Sequence, residues 1–266
     1  MAVYADIVRY RELFANLFRR DFQAKYRGSA LGVLWSLVNP LALMLVYLVV
    51  FGVIWDKGNG IQHYAIYLLA GITCWLFFAI SLQSASRSLV DSADLIRKVR
   101  FPRQLVAFSV VATQAVTFAV MLVILIGLSL VFIPPARETV WLVIPLAPLY
   151  VGFVAGIALV VACLNVVLRD VEHILTAALF PWFFLTPILW SFGILPPSAT
   201  RHHDLLEVLR WGNFVTPPID ALRDALWAGR APRLADVLYL AVAAVVALLL
   251  GALVFSRIDD RIAVEL

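Results

Sequence analysis

Fixed charge is scarcest in this chain where it would cost most. Six apolar stretches, residues 32–55, 64–86, 105–131, 140–168, 174–195 and 237–256, contain no Asp, Glu, Lys or Arg. Each holds 20 residues or more, enough at about 1.5 Å rise per residue to cross a hydrocarbon core roughly 30 Å thick. At that depth no water satisfies backbone N–H and C=O groups, so the stretches predict closed helices. The missing charges also exclude a class of mechanism. Proton pumps, ion-coupled carriers and many channels keep ionisable groups inside the bilayer as working parts. A chain without them must be driven from elsewhere.

Other absences narrow the reading. There is no G-x-x-x-x-G-K-[ST] phosphate loop and no other nucleotide fingerprint, so no ATP site, catalytic residue or metal site is expected in this chain. The two cysteines, Cys74 and Cys163, both fall within apolar stretches and read as small packing residues rather than a disulfide or metal pair. No cleavable signal peptide is expected, since the first apolar run starts near Leu31 and no A-x-A site follows it. With 63% hydrophobic and 14% charged residues in 266, the spans leave no room for a second soluble domain. The net charge of +4 reads as membrane orientation rather than nucleic-acid binding.

That charge is unevenly placed. The segments before the first span, at 87–103, at 169–173 and after the last span carry fourteen Lys and Arg, and the other side carries seven. The positive-inside rule therefore predicts both termini in the cytoplasm. The expected fold is all-α: six transmembrane helices, an N-terminal amphipathic interface helix within residues 1–30, and short external re-entrant helices within 196–233 of a permease domain spanning 31–266. The interface helix is read from Ile7, Tyr10, Phe14, Leu17, Phe18, Phe22 and Tyr26, which recur every three or four residues. Arg11, Arg19, Arg20, Lys25 and Arg27 lie largely off that stripe, as suits a helix in the headgroup layer over anionic lipid.

Inside the membrane, Gly152, Gly156, Ala155, Ala158 and Ala162 make one small-residue stripe, and Ala243, Ala247 and Gly251 another. Such stripes let helix backbones approach closely. Pro181 and Pro187 interrupt the fifth stretch and favour a kink. Trp35, Trp55, Trp141 and Trp190 stand near span ends, where indoles anchor at the interface. Trp75 with Phe78, and Trp182 with Phe183, fall near mid-span, where no anchoring role explains them. They are either packed core or ring platforms for sugar faces along a path. Tyr47, Phe51 and Trp55 share a face of the first span and are second candidates for that path.

Two loops on the basic side carry the remaining pattern. In residues 91–101, Ser92 suits an N-cap with Asp94 in the first turn, and Arg97, Lys98 and Arg100 complement the helix C-terminus. Leu95, Ile96 and Val99 share a face, and a helix this short is not stable alone in water, so it should dock, on its own spans or on a separate partner. Outside, Thr216-Pro217-Pro218 suits a helix start and Gly229 its end.

These residues resemble a known family. Asp21-Phe-Gln-Ala-Lys-Tyr-Arg-Gly-Ser-Ala-Leu-Gly-Val-Leu-Trp35 followed by Asn39-Pro40 is similar to the start of span one in polysaccharide-exporting ABC-transporter permeases, which include O-antigen, teichoic-acid and capsule exporters. Asp94-Leu-Ile-Arg-Lys-Val-Arg-Phe-Pro-Arg103 resembles the family's coupling helix, and Leu164-Asn-Val-Val-Leu-Arg169-Asp170-Val its second cytoplasmic turn. Thr186-Pro187-Ile188 and Leu195-Pro196 match its fifth span. One departure is visible: the family shows Asn-Pro before the external Thr, where this chain has Asn213-Phe214-Val215-Thr216. The resemblance implies a half-transporter of the bacterial inner membrane. Two copies would form the pore, and two copies of a separate ATPase, holding ATP and Mg, would dock at Ser92, Asp94, Leu95, Ile96, Val99, Arg169 and Asp170. The cargo it implies is a lipid-linked polysaccharide.

Overall fold

The computed structural model describes residues 2–29, 32–54, 61–99, 101–194 and 203–265, and among these no strand occurs. The helices are α1 (Ala2–Arg9), α2 (Arg11–Tyr26), α3 (Trp35–Tyr47), α4 (Tyr64–Asp91), α5 (Ala93–Lys98), α6 (Gln104–Phe132), α7 (Val143–Val167), α8 (Asp170–Leu185), α9 (His203–Glu207), α10 (Thr216–Leu226) and α11 (Leu234–Glu265). Wider π-type turns prolong α3 over Leu48–Ile54 and α9 over Val208–Gly212.

Among the described residues, five helical segments are long and apolar enough to cross a membrane: Leu37–Ile54, Tyr64–Asp91, Gln104–Phe132, Val140–Val167 and Leu234–Asp259. The stretch expected as a span over 174–195 is not one helix. Thr186 is extended (φ −84°, ψ 135°), as a residue before proline tends to be, so Pro187 ends α8 after 16 residues. Those residues rise about 24 Å, short of a full hydrocarbon core.

The architecture places α4 at the centre. Its span is apolar all round and is covered by α3, α6, α7, α8 and α10. Helix α7 packs closely on α11, where the two small-residue stripes meet each other. A Cβ on Gly156 would stand 2.4 Å from the Ala247 carbonyl carbon, and one on Gly251 would stand 2.8 Å from the Gly156 oxygen. Backbones that near exclude any side chain between them.

The N-terminal helices do more than cross the end of the bundle. Asp21 accepts from Ser109 Oγ at 2.6 Å, while Lys25 Nζ donates to Gln114 at 2.7 Å and Thr117 at 3.0 Å. The α6 partners span eight residues, about 12 Å of helix rise, so α2 follows α6 lengthwise. Tyr4 of α1 donates to the Leu248 carbonyl, and Arg103 pairs with Asp259 at 2.8 Å. The connection between α8 and α11 also differs from two helices facing lipid: apart from partly exposed Asp220, every residue of α10 is buried in the protein, against α4, α7 and α11.

Candidate translocation path and coupling surface

The aromatics that the apolar stretches placed at mid-span converge. Trp75 and Phe78 project from one side of α4, three residues apart, and meet Trp182 and Phe183 of α8. Trp75 lies 6.0 Å from Trp182 and 5.8 Å from Phe183 between ring centroids, and Phe78 lies 5.5 Å from Trp182. Tyr47 of α3 stacks on Phe183 at 5.7 Å and touches Phe51 at 6.0 Å. Six of the seven expected path residues thus form one connected set of rings. The seventh, Trp55, lies outside the described residues. Trp75 and Phe78 are buried, whereas Trp182, Phe183, Tyr47 and Phe51 are half-buried and form the accessible side of the set.

Residues outside the sequence-based set complete this cluster. Phe214 packs edge-on against Trp182 at 4.9 Å and Phe153 reaches Phe78 at 6.4 Å. The Trp182 indole N–H donates to Asn213 Oδ1 at 2.9 Å, and Asn213 Nδ2 donates to Thr186 Oγ1 at 2.9 Å. An indole N–H withdrawn this far from water takes such a partner. Asn213 therefore ties the helix before Pro187 to the start of α10. The departure at Phe214 from the family's Asn-Pro is filled by a ring.

At the basic end, α5 divides its residues between two environments. Ile96 is 9% exposed and sits in an apolar cluster with Leu17, Leu89, Leu105 and Val166 of this same chain, with Leu95 half-buried beside it. Ser92 is also buried; it makes no side-chain cap bond and accepts from Arg20 Nη2 at 3.4 Å. Asp94, Arg97, Lys98 and Val99 face outward, Val99 at 51% exposure. Ile96 thus faces inward, and Val99 is the apolar residue available on the surface.

The second turn is braced from within. Asn165 donates to the Ser86 carbonyl at 2.8 Å and accepts the Glu172 backbone N–H at 3.0 Å, and Arg87 pairs with Glu172 at 3.1 Å. This holds the end of α7 and the start of α8 against α4. Arg169 and Asp170 stand exposed at its tip beside exposed Leu168, with no ion pair among the described residues. Asn165 belongs to the motif that suggested this turn, but its structural task shows only when Ser86 is brought alongside.

The opposite end holds charges that no apolar run signalled. Arg223 of α10 is 4% exposed; its Nη1 donates to Tyr67 Oη at 3.0 Å and to the Pro187 carbonyl at 2.8 Å, with Asp220 at 3.4 Å. Its guanidinium carbon lies 3.9 Å from the Tyr67 ring centroid. Asp236, in the first turn of α11, is 1% exposed with Arg210 at 3.8 Å. Burial pushes the Asp220 carboxyl up to about 6, against the opposing pull of Arg223.

Comparison with known proteins adds to this geometry. Residues 12–227 match the family described as ABC-2 type transporter. The chain is 32% identical over 200 residues to an O-antigen export system permease protein RfbA of Myxococcus xanthus, covering 74% of this chain and 75% of that protein. It is 27% identical over 186 residues to an RfbA permease of Klebsiella pneumoniae, covering 70% and 71% respectively. A multi-pass helical bundle, an uncharged ring cluster between its helices and a family match across most of the chain agree: this protein belongs to the ABC-2 type transporter family of membrane permeases.

Proposed function

We propose that this chain is the transmembrane subunit of an ATP-driven exporter that moves a lipid-linked, O-antigen-like polysaccharide outward across a bacterial inner membrane. The observation that carries this reading is the match to RfbA export permeases over about three quarters of both chains. The geometry agrees with it. A path through spans without fixed charge cannot bind a polymer through ion pairs, so recognition falls to hydrogen bonds and to rings that cover the C–H faces of sugars. Trp182 and Phe183, half-exposed and backed by buried Trp75 and Phe78, have that character. Several shallow platforms suit a moving chain better than one deep site, which would trap it.

In this reading two copies form the pore, and both termini lie in the cytoplasm on the side rich in Lys and Arg. ATP and Mg are handled by two copies of a separate ATPase, which docks on the outward residues of α5 and the tip at Arg169 and Asp170. Depleting the chain in its host tests the export reading. Lipid-linked polysaccharide should accumulate on the cytoplasmic side and disappear from the cell surface, scored with a glycan-specific antibody before and after permeabilisation. Unchanged surface polysaccharide would overturn the reading. Trp182→Ala should slow export several-fold while leaving ATPase association intact; wild-type export in that variant would remove Trp182 from the path.

A further inference from the structure

A cavity of about 670 Å³ opens at the end of the molecule opposite α5. It lies between the start of α4, the α6–α7 connection, residues 187–193, α10 and the start of α11. None of the mid-span rings described above lines it. Its wall carries four arginines and three aspartates, nearly balanced in sign. Some of these charges satisfy each other: Arg230 holds Asp224 Oδ1 through two donors at 3.0 and 2.7 Å, whereas Arg223 engages Tyr67 and the Pro187 carbonyl through Nη1 alone.

Three side chains in the wall hold buried atoms without a hydrogen-bond partner, Arg223 among them through Nε and Nη2. Asp236 is 1% exposed, yet neither of its carboxylate oxygens has a hydrogen-bond partner, and the Arg210 Nη2 atom is 3.8 Å away, beyond hydrogen-bonding distance. Arg210 Nε is likewise buried without a partner. Buried polar atoms are almost always paired in folded proteins, by protein, water or ligand. An unpaired acceptor and an unpaired donor here share one wall.

The chemistry of the missing partner follows from that pairing. A simple anion would be favoured by the arginines but repelled by Asp220, Asp224 and Asp236. A simple cation meets the converse difficulty, and among the described residues no cluster of acidic or histidine side chains is arranged to hold a metal ion. A hydroxyl-bearing ligand satisfies both sides, because each O–H donates to a carboxylate while its oxygen accepts from a guanidinium. Trp227 adds a ring on the same wall. Its indole N–H is already committed to the Gln62 carbonyl at 2.6 Å and the ring stands nearly perpendicular to Tyr67 at 5.0 Å between centroids, so the remaining ring surface is apolar.

We propose that this vestibule is a saccharide-binding site at the external mouth of the transport path. Sugar hydroxyls bridge Asp236 and Arg210, and a C–H face of the ring lies on Trp227. The proposal rests on the polysaccharide-export reading and assigns the emerging chain a polar station distinct from the aromatic cluster. Such a station competes with water for the polymer as it leaves the rings.

Purified permease tests it through tryptophan fluorescence and saturation-transfer NMR. The probes are short oligosaccharides released by mild acid from the source bacterium's surface polysaccharide and, separately, inorganic pyrophosphate. Oligosaccharide should bind, and Asp236→Asn and Arg210→Gln should each weaken it about tenfold while both variants stay monodisperse and export more slowly in cells. If both variants bind and export as wild type, the vestibule proposal fails while the export reading stands. If Asp236→Asn instead tightens pyrophosphate and leaves oligosaccharide binding unchanged, the site takes anions and the saccharide assignment is overturned. Unchanged surface polysaccharide on depletion of the wild-type gene would remove the export reading itself, and the vestibule assignment with it.

Discussion

Arg223 shows how tightly one side chain can be built into a membrane protein. Its guanidinium lies so close to α4 that a Cβ on Gly71 would stand 2.2 Å from Nη2, so the absence of a side chain at Gly71 makes room for it. The same guanidinium stabilises the ionised form of Asp220, three residues earlier, but desolvation of this largely enclosed, partly exposed side chain outweighs it and pushes the carboxyl up to about 6 from its ordinary 3.8. The consequence has a definite sign. Between those two values the folded chain holds a proton that the unfolded chain has already released, so stability falls as pH rises through that window and levels off above it. Asp220→Asn cannot titrate and should flatten this part of the profile. Thermal melting of the purified chain in detergent between pH 4 and 7 checks it: the wild-type curve should decline more steeply than the variant's, and parallel curves would place the titration on another group.

The pairing of α7 with α11 sets the fold's tightest constraint, and its two glycines are not equivalent. A Cβ on Gly152 would meet only Leu248 Cδ1, at an ordinary 3.7 Å, while one on Gly156 would penetrate the Ala247–Leu248 backbone. Gly156→Ala must therefore push the helices apart, at a cost of about 1–3 kcal/mol. Gly152→Ala should stay within about 0.5 kcal/mol of wild type. Melting temperatures of the two variants decide the matter, and equal losses would mean that the helices do not cross as described. Spacing alone revealed both stripes, because small residues every four positions mark a close approach, but it could not say that each stripe was the other's partner. The fifth stretch departs from its hydropathy for a related reason. Hydropathy continues past Leu185, whereas the backbone is turned out of the helix by Pro187 at Thr186. For α10 the periodic pattern was visible at Thr216–Leu226, yet an apolar face that meets protein reads the same as one that meets lipid. The burial of Arg223 and Asp236 has no sequence signal, because Arg223 lies within the connection between two apolar runs and Asp236 just before one, in segments whose charges ordinarily stay in water.

Taken as a whole, the molecule joins a charged vestibule at one end, a ring cluster at mid-height and a braced surface at the other, through the single central helix α4. Tyr67, Trp75, Phe78 and Arg87 all belong to it, so a shift along α4 would be felt in all three places. The surface end is where the sequence left two outcomes open, since the apolar face of residues 91–101 could meet either this chain or another. Helical spacing puts Leu95, Ile96 and Val99 together, but α5 ends at Lys98 and Val99 is extended, which turns Val99 outward while Ile96 stays in the cluster with Leu17 and Leu89. The two positions should therefore fail differently. Ile96→Asp buries an unpaired carboxylate inside the permease, at about 3 kcal/mol or more, and should lower its yield and melting temperature before any partner is added. Val99→Asp leaves the fold intact and places a charge only on the surface proposed to receive the ATPase. It should weaken that complex on the order of tenfold, about 1.4 kcal/mol, with an unchanged melting temperature for the permease alone. Co-purification of each variant with the tagged ATPase, beside melting of the permease without it, separates the two. A Val99→Asp permease that retains its ATPase at wild-type affinity would move the docking surface away from α5.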